Sequence, residues 1–554
     1  MRLNRQLGRL AMLAVCIASA ALLGSAPASG GQEVNYQDPL TAAPTIARPP
    51  TASCSVTVMQ DFAFNSSVGH GVFAGTLAPP AACAGPRSKI VLDFTGKVAG
   101  RQFDRLLNVW VGGAQVFQSS TPEPDPDGIT WHVEHDATPY SSLFAQPEPI
   151  KVELQNYVTG IYTGVIYGTL EVTYYAATSA YPAPEHADEV VGFPNADSYY
   201  FYGPGDVRTT PITFPQNLTR AYLELYLKGN SCDEFWFGSQ PDDFAGPNGL
   251  CGGGAFREVQ VSIDGQLAGI AWPYPFIFTG GVNPWLWRPM PAVNAFDMPP
   301  QVVDLTPYVG LLTDGQPHTI SLQVAHDGYY WGIGSDLLLY RDPVLAQTSG
   351  ALTSQSIAPT AGETYGENVG SNGGVFTTGA SRHLSVSGYV DTSAGRVSTT
   401  VEQTFGFSNR QELDLTNFLE NLMHDETIDT VTTTSRAGST TVRRVSESYP
   451  IRMRSLFQVP QQGQKDFWEL PAGVEQSLVR KTTVAVNGVQ TFASTLDDTV
   501  NASALLSRTN GVTTLSGGRD SEDYIASDSS GACYHRKLVA AEGWVKSDQL
   551  LRSC

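Results

Sequence analysis

The sequence predicts an all-β protein, with two tandem β-sandwich domains of the jelly-roll type and a third, C-terminal antiparallel β domain. Three observations support this. Short runs of alternating apolar and polar residues fill the chain from residue 53 onwards, β-branched and aromatic residues are frequent in them, and turn residues separate them. Period-two alternation of this kind is typical of strands. Many short strands between turns point to a sandwich or a jelly roll.

Domain boundaries follow from changes in composition. About eight strand-like runs place a first sandwich at residues 53–177, and the stretch TSAYPAP then resembles a linker. A second sandwich is expected at residues 185–342. Its DLTPYV followed by HTISLQV echoes DATPYSSLF followed by IKVELQNYV in the first, which suggests two related domains.

The remaining chain, residues 350–554, is richer in Ser, Thr, Gly and Val and predicts long, polar-faced antiparallel strands. One helix is expected within it, over Glu412 to Met423, with Ser408 and Asn409 as possible N-caps.

The N-terminus has the pattern of a secretory signal. Arg2, Arg5 and Arg9 precede an apolar run, and Ala26-Pro27-Ala28 offers a small-residue cleavage site. We therefore expect residues 1–28 to be removed and residues 29–52 to form a flexible lead-in rich in Pro, Ala and Thr. No later stretch approaches the ~20 apolar residues that span a bilayer. A secreted or periplasmic monomer, free of the membrane after signal removal, is expected.

The formal net charge of −20 becomes more negative when the three signal arginines are lost. Such an acidic surface argues against nucleic acid or anionic lipid as a partner. It leaves the reaction open.

Six cysteines remain after the signal, an even number that fits an oxidising compartment. Six cysteines allow 15 connectivities. Their clustering favours local pairing, and the spacing lacks the close pairs of a zinc site. The expected pairs are Cys54–Cys83, Cys232–Cys251 and Cys533–Cys554.

Metal and nucleophile sites are disfavoured. His132 and Glu134 face one side of a predicted strand and His135 the other, so the two histidines cannot share an ion. The chain has no Gly-x-Ser-x-Gly elbow, and paired cysteines leave no thiol nucleophile. His318 and His326 are expected to be structural.

Carboxylates remain as the chemical groups of interest. Asp104-Arg105 stands at the entrance of a predicted strand, and Asp233-Glu234 follows Cys232. Taken alone, these acids are also explained as turn caps or ordinary loop residues. The aromatic density of residues 229–289 suggests a sugar-handling cleft, because aromatic faces stack on pyranose rings. Further candidate binding residues there are Trp236, Arg257, Glu258, Trp285, Trp287 and Arg288.

Longer motifs resemble a known family. FDRLLNVWVGGAQVF with STPEPDPDGITWHVEHDATPYSSL resembles the N-terminal half of the peptide N-glycosidase A family. GGGAFREV with FTGGVNPWLWRP and AFDMPPQVVDLTPYV is similar to its second domain, and SVSGYVDTSAGRVSTTVEQTF to its C-terminal region. The similarity extends over most of the chain after the signal.

This resemblance implies hydrolysis of the amide between asparagine and the innermost N-acetylglucosamine of N-glycoproteins and glycopeptides, without a cofactor. The implied roles are Asp104 as the ionised group that activates water, Arg105 as its holder, and Glu234 as the group that binds the sugar amide and gives a proton to nitrogen. Arg288 would stabilise the oxyanion.

The same resemblance implies that Trp236, Trp285 and Trp287 stack on the chitobiose core. In the distantly similar peptide N-glycosidase F, a third acid takes part. It has no clear match in this sequence, where Gln155 or Asn156 stands nearest.

Two other functions remain open at this level. A non-catalytic glycan-binding β-sandwich would use the same aromatic residues without turnover. An endo-β-N-acetylglucosaminidase would cleave within chitobiose by paired carboxylates and leave one sugar on asparagine.

Overall fold

The computed structural model describes residues 35–283, 285–417, 419–456, 467–509 and 512–554. The expected signal peptide lies outside these residues. Among the residues described, no helix combines the length and apolar character needed to cross a membrane.

The first sandwich has two four-stranded antiparallel sheets, whose inward-facing apolar side chains form its core. The orders are β1-β8-β3-β6 and β2-β7-β4-β5, the arrangement of a jelly roll. The strands are β1 (Ser53–Phe64), β2 (Val72–Leu77), β3 (Arg87–Val98), β4 (Leu106–Val111), β5 (Ala114–Ser120), β6 (Ile129–Asp136), β7 (Glu148–Leu154) and β8 (Ile166–Ala176).

The second sandwich repeats this order with one added edge strand. Its sheets run β10-β17-β12-β15, with β9 also paired to β17, and β11-β16-β13-β14. The elements are β9 (Glu189–Gly192), β10 (Tyr199–Phe201), β11 (Val207–Thr213), β12 (Leu218–Asn230), α1 (Asp242–Asn248), β13 (Glu258–Ile263), β14 (Gln266–Ala271), β15 (Gln301–Asp304), α2 (Val309–Leu312), β16 (Pro317–Ala325) and β17 (Tyr330–Arg341).

The sequence echo between the two sandwiches corresponds to one repeated turn. Thr138–Tyr140 and Thr306–Tyr308 are both 3₁₀ turns, each between the last strand of one sheet and a strand of the other. In each case the aspartate two residues before the threonine accepts a hydrogen bond from the threonine main-chain N–H, at 3.1 and 2.9 Å. Both turns are therefore built by the same local Asx hydrogen bond.

The C-terminal part forms one large twelve-stranded antiparallel sheet. β18 and β19 both pair with β20, and the order continues β20-β21-β22-β23-β25-β26-β27-β28-β29, with β24 paired to β22 and β25. The strands are β18 (Ser349–Ile357), β19 (Gly362–Gly370), β20 (Gly373–Thr392), β21 (Gly395–Asp414), β22 (Leu419–Arg436), β23 (Ser439–Ser448), β24 (Ile451–Leu456), β25 (Phe467–Val486), β26 (Val489–Thr509), β27 (Val512–Asp528), β28 (Cys533–Ala541) and β29 (Trp544–Leu551).

The helix expected over residues 412–423 is wrong. Glu412 belongs to β21 and Met423 to β22, and the Asp414 side chain caps the turn between them by accepting bonds from the main-chain N–H groups of Thr416 and Asn417. Alternate residues of this stretch face the second sandwich, among them Leu413 and Leu422, which are buried. Long-range packing thus overrides the local helical preference.

Residues 35–52, expected to be part of a flexible lead-in, instead form an extended strap along all three units. The main-chain N–H of Gln37 donates to Gly543 O at 2.9 Å, and that of Ala42 donates to Glu522 Oε2 at 2.7 Å. The N–H of Ile46 donates to Glu134 Oε2 at 2.8 Å. Hydrogen bonds from its main-chain N–H groups to the first sandwich and to the large sheet hold the strap in place.

One continuous apolar core runs through both sandwiches and the large sheet. The two sandwiches are joined by polar bonds as well: Tyr140 Oη donates to Glu224 Oε2 at 2.6 Å, and Gln115 N donates to Asp336 Oδ1 at 2.9 Å. The sandwiches therefore meet along a buried interface.

All three expected disulfides are present, Cys54–Cys83, Cys232–Cys251 and Cys533–Cys554. Each closes a loop of 19 to 29 residues. Loops of this size are worth about 3 kcal/mol in the chain-entropy account.

The contact between the second sandwich and the large sheet leads to a stability prediction. Gly388 in β20 is so close to the turn at Pro307 that an added β-carbon would lie 1.9 Å from Pro307 O. We expect Gly388→Ala to lower the free energy of unfolding by about 1–3 kcal/mol, since backbone must shift to admit the methyl group.

Urea unfolding followed by tryptophan fluorescence measures this change. Gly473→Ala in β25 is the matched control, because there the nearest atom to an added β-carbon is 3.9 Å away. Equal stability of the two variants would contradict the close packing described.

Candidate functional site

The site lies where loops of the first sandwich meet strand ends of the second. Asp104 is in the loop between β3 and β4, and Glu123 is in the segment between β5 and β6. From the second sandwich come Lys228, near the end of β12, and Glu234, in the 3₁₀ turn Ser231–Gly238 that follows it. The fold thus brings acids from both sandwiches to one groove.

The main chain at Gly280, in the long β14–β15 loop, forms the floor between two of these acids. A β-carbon placed on Gly280 would lie 2.5 Å from Asp104 Oδ1 and 2.6 Å from Glu123 Oε1. Only glycine leaves both carboxyl groups their positions. Thr279 beside it donates from Oγ1 to Thr121 O at 2.7 Å, which ties this loop to the first sandwich.

Two of the three acids in the groove have a basic partner. Lys228 Nζ lies 3.8 Å from Glu234 Oε2, and Arg288 Nη2 donates to Glu123 Oε2 at 2.7 Å. Glu123 and Arg288 are both buried, whereas Asp104 and Glu234 keep part of their surface open to solvent. The two partly exposed carboxyl groups are therefore the ones that a ligand can reach.

Burial and like charge raise the pKa of Asp104 to about 8, with the negative charges of Glu234 and Glu123 adding to the effect of burial and Lys228 and Arg105 opposing it. Burial also raises the pKa of Glu123, against the pull of Arg288, and lowers the pKa of Lys228. With a pKa of about 8, Asp104 is mainly protonated at neutral pH.

Two guanidinium groups at the site have hydrogen-bonding capacity to spare. Arg105 donates from Nη2 to Gln102 Oε1 at 2.6 Å and lies over the Phe103 ring, so it does not bond Asp104 directly. Its Nε and the Nε of Arg288 are both buried and lack hydrogen-bond partners within the described residues. Buried unpaired donors are rare in folded proteins.

A fully buried ion pair fixes the turn that carries Glu234. Arg257 donates to Asp233 Oδ1 from Nε at 2.9 Å and from Nη2 at 2.5 Å, and neither side chain is exposed. Asp233 also accepts from the main-chain N–H of Tyr329 at 2.6 Å, and Arg257 Nη1 donates to Gly254 O at 2.8 Å. The pair therefore locks three loops together beneath the groove.

Several residues expected to bind substrate are structural instead. Asp233 and Arg257 are out of reach of any ligand, and Glu258, 1% exposed, accepts from Trp272 Nε1 and pairs with Arg382 of the large sheet. These side chains shape the groove without facing it.

The three tryptophans expected to stack on chitobiose are also buried, at 3% or less exposure. Trp236 packs against Phe407 and His424 of the large sheet, and Trp285 against Tyr36 of the strap. Protein covers their indole faces, so the expectation that they stack on a sugar is wrong. Aromatic density in the sequence reflected a core shared between units rather than an open cleft.

Sequence reasoning missed Glu123, which lies beside Asp104 in the groove. Gln155 is exposed and accepts from Ser66, while Asn156 is fully buried and donates to Phe64 O, so neither reaches the groove. Glu123 stands in STPEPDPDG, where proline and neighbouring acids are typical of an ordinary surface loop. Lys228 was missed for a similar reason, as a single cation in a strand.

The histidines are placed as expected. His318 Nδ1 lies 2.7 Å from Asp264 Oδ2 and His326 Nε2 lies 2.9 Å from Glu363 Oε1, both away from the groove. His132 and Glu134 share a strand face with Asp93, and the three are close enough to hold an ion. Arg48 of the strap, however, pairs with both carboxylates and fills that space with its own charge.

Comparison with known proteins now places the chain. The family model described as "Peptide N-acetyl-beta-D-glucosaminyl asparaginase amidase A" matches residues 39–356, and the model of the C-terminal domain of the same family matches residues 375–451. This chain belongs to the peptide N-glycosidase A family.

Individual proteins are also similar to this chain. The peptide-N4-(N-acetyl-beta-glucosaminyl)asparagine amidase A of Prunus dulcis is 34% identical over 388 residues, 66% of this chain and 67% of that protein. Among solved structures, peptide N-glycanase F is 16% identical with a TM-score of 0.36, covering 52% of this chain and 96% of that one. PNGF-II is 13% identical with a TM-score of 0.37, covering 52% and 65%.

The role of Gly280 leads to an activity prediction for this amidase family member. We expect Gly280→Ala to lower kcat on a glycopeptide by about 100-fold or more, because the methyl group displaces two carboxyl groups at once. Gly160→Ala, where an added β-carbon meets nothing within 4 Å, is the matched control. Full activity of Gly280→Ala would show that the acids work elsewhere.

The buried ion pair predicts a loss of stability. We expect Asp233→Asn to lower the free energy of unfolding by about 3–5 kcal/mol, because Arg257 is left buried without its counter-charge. Asp429→Asn, on an exposed position of β22, is the control and should change little. Denaturant unfolding compares the two. A small effect at Asp233 would mean that water replaces the carboxylate.

Proposed function

We propose that this chain hydrolyses the amide bond between asparagine and the innermost N-acetylglucosamine of N-glycoproteins and glycopeptides, and that it does so in the groove between the two sandwiches. One observation carries the proposal. Asp104 and Glu123 from the first sandwich meet the Lys228–Glu234 pair of the second, beside two arginines with unpaired donors. Sites between domains are a common place for such a groove.

The charges support roles for Asp104 and Glu234 that differ from those implied by the sequence. Asp104 holds a proton, with its pKa near 8, while Glu234 is ion-paired with Lys228 and carries the negative charge. In the proposed reaction, Asp104 donates a hydrogen bond to the amide carbonyl oxygen. Glu234 takes a proton from water as the water oxygen bonds to the carbonyl carbon. Two carboxyl groups sharing one proton are well suited to amide hydrolysis.

The second half of the reaction returns the proton. The C–N bond breaks as Glu234 delivers the proton to the departing nitrogen, which leaves aspartate on the peptide and a glycosylamine that loses ammonia. Negative charge on the carbonyl oxygen would be stabilised by the nearby positive charges of Arg105 and Arg288. Glu123 keeps Arg288 in place through their ion pair. No other group is needed for this chemistry.

An exported, monomeric form of the protein is part of the proposal. Three disulfides are at home in an oxidising compartment. The segment expected to act as a signal precedes the strap that the structure describes.

The product decides between this function and its rivals. After digestion in heavy-oxygen water, mass spectrometry of the peptide should show aspartate with one heavy oxygen and no sugar. An unchanged asparagine bearing one N-acetylglucosamine would instead identify a glycosidase. Binding without turnover would identify a lectin-like protein. In the same assay, Asp104→Asn and Glu234→Gln should lower kcat by about 100-fold or more.

The proton on Asp104 predicts the pH profile. Because Asp104 is protonated below its pKa of about 8 and ionised above it, kcat/KM should fall as pH rises through that value. Glu123→Gln removes a negative charge beside Asp104, which lowers the pKa of Asp104, so the fall should move to lower pH by about one unit. The exposed Glu402→Gln is the control. A profile that rises through pH 8 would assign the ionised role to Asp104.

A further inference from the structure

Two exposed tyrosines and a partly buried one form a ladder that starts near the candidate site. Tyr202 lies between Tyr200 and Tyr330, with ring centroids 6.5 and 5.9 Å away and ring planes inclined by 25° and 27°. At these distances the rings are offset and leave part of each face uncovered. Tyr202 is 66% exposed and Tyr200 40% exposed. Nothing in the packing of the second sandwich requires such exposure.

The ladder is continuous with the groove. Tyr330 pairs with Asn230 at the end of β12, four residues before Glu234. Burial is the main cause that raises the pKa of Tyr330, and Tyr202 and then Glu234 add to it. Tyr329, the neighbour of Tyr330, is bonded through its main chain to Asp233. The same buried carboxylate therefore fixes both the turn that carries Glu234 and the first step of the ladder.

Past the ladder lies a cavity of about 550 Å³ between the second sandwich and the large sheet. Pro204 and Gly328, each two residues from a ladder tyrosine, line it on one side, and Tyr365 of β19 lines it on the other. Asp327 also lines it. This side chain is 2% exposed and contributes a buried carboxyl group to the wall of the cavity.

The surroundings favour a neutral, hydroxyl-rich ligand. Two cations beside the ladder are already paired, Arg208 with Asp206 at 3.4 Å and Lys151 with Glu153 at 2.7 Å. An anionic ligand would find no spare charge in these pairs. Partly open aromatic faces suit the apolar faces of pyranose rings.

We propose that the tyrosine ladder of Tyr200, Tyr202 and Tyr330, with the cavity at Asp327, is a subsite for the outer hexose residues of the N-glycan whose innermost sugar lies at Glu234. This proposal rests on the function proposed above. The ladder contributes affinity for long glycans and takes no part in the chemistry, so substrates that end at chitobiose do not use it.

The test compares two substrates that share one peptide, one carrying an oligomannose N-glycan and the other chitobiose alone. Tyr202→Ala should lower kcat/KM on the long substrate about fivefold to tenfold through KM, and leave the short one unchanged. Tyr202→Phe keeps the ring and should restore most of the value. Tyr181→Ala is the control, because this tyrosine is 42% exposed but lies in the segment between the two sandwiches, before β9.

Outcomes separate this proposal from the proposed function. Equal loss on both substrates, or no loss on either, would overturn the subsite. If the native protein released neither glycan, the function would fail, and binding of free oligomannose glycan by calorimetry would decide the subsite alone. Weaker binding by Tyr202→Ala than by Tyr181→Ala would uphold it, and equal binding would refute it.

Discussion

The buried pair of Arg257 and Asp233 is the constraint on which the rest of the site depends. A charge pair that is completely withdrawn from water is stable only when its remaining hydrogen-bonding capacity is satisfied. Here carbonyl oxygens of the Gly253–Gly254 loop and main-chain N–H groups of the β16–β17 turn meet that need. The loops are therefore fixed by the same bonds that stabilise the pair, and Glu234 is held at a strand end with little freedom.

The large C-terminal sheet completes the groove without contributing an acid to it. Gln476 accepts from Val293 N and donates to Pro275 O, so both ends of the β14–β15 loop are held by one buried side chain. Asn409 donates to Phe237 O at 2.7 Å, behind the turn that carries Glu234. The sheet is a rigid backing, which explains why Trp236 is buried against it.

Much of the fold follows from local pattern, because period-two alternation and turn residues are read one strand at a time. The repeated Thr-Pro-Tyr turn even revealed the kinship of the two sandwiches. The sequence does not show which element of the fold covers each apolar face. In the sequence, Trp236 and Trp285 resemble tryptophans that stack on sugars. Only the position of the large sheet shows that they belong to the core. Glu123 and Lys228 come close to Asp104 and Glu234 because the two sandwiches pack together. The spacing of residues along the sequence does not show this packing. The helix expected at residues 412–423 failed because neighbouring long strands offered better pairing than a local turn.

The strap has a consequence for the order in which the protein is made. Tyr36 packs on Trp285, and Arg288 lies over its ring at 4.9 Å, yet the strap is anchored by Glu522 and Gly543. These anchors leave the ribosome last, so the strap gains its full set of contacts only after the last strands have formed. Glu123 holds Arg288 from the first sandwich, but Tyr36 covers the Arg288 guanidinium from the strap, so a chain truncated before β27 would leave that guanidinium more open to water.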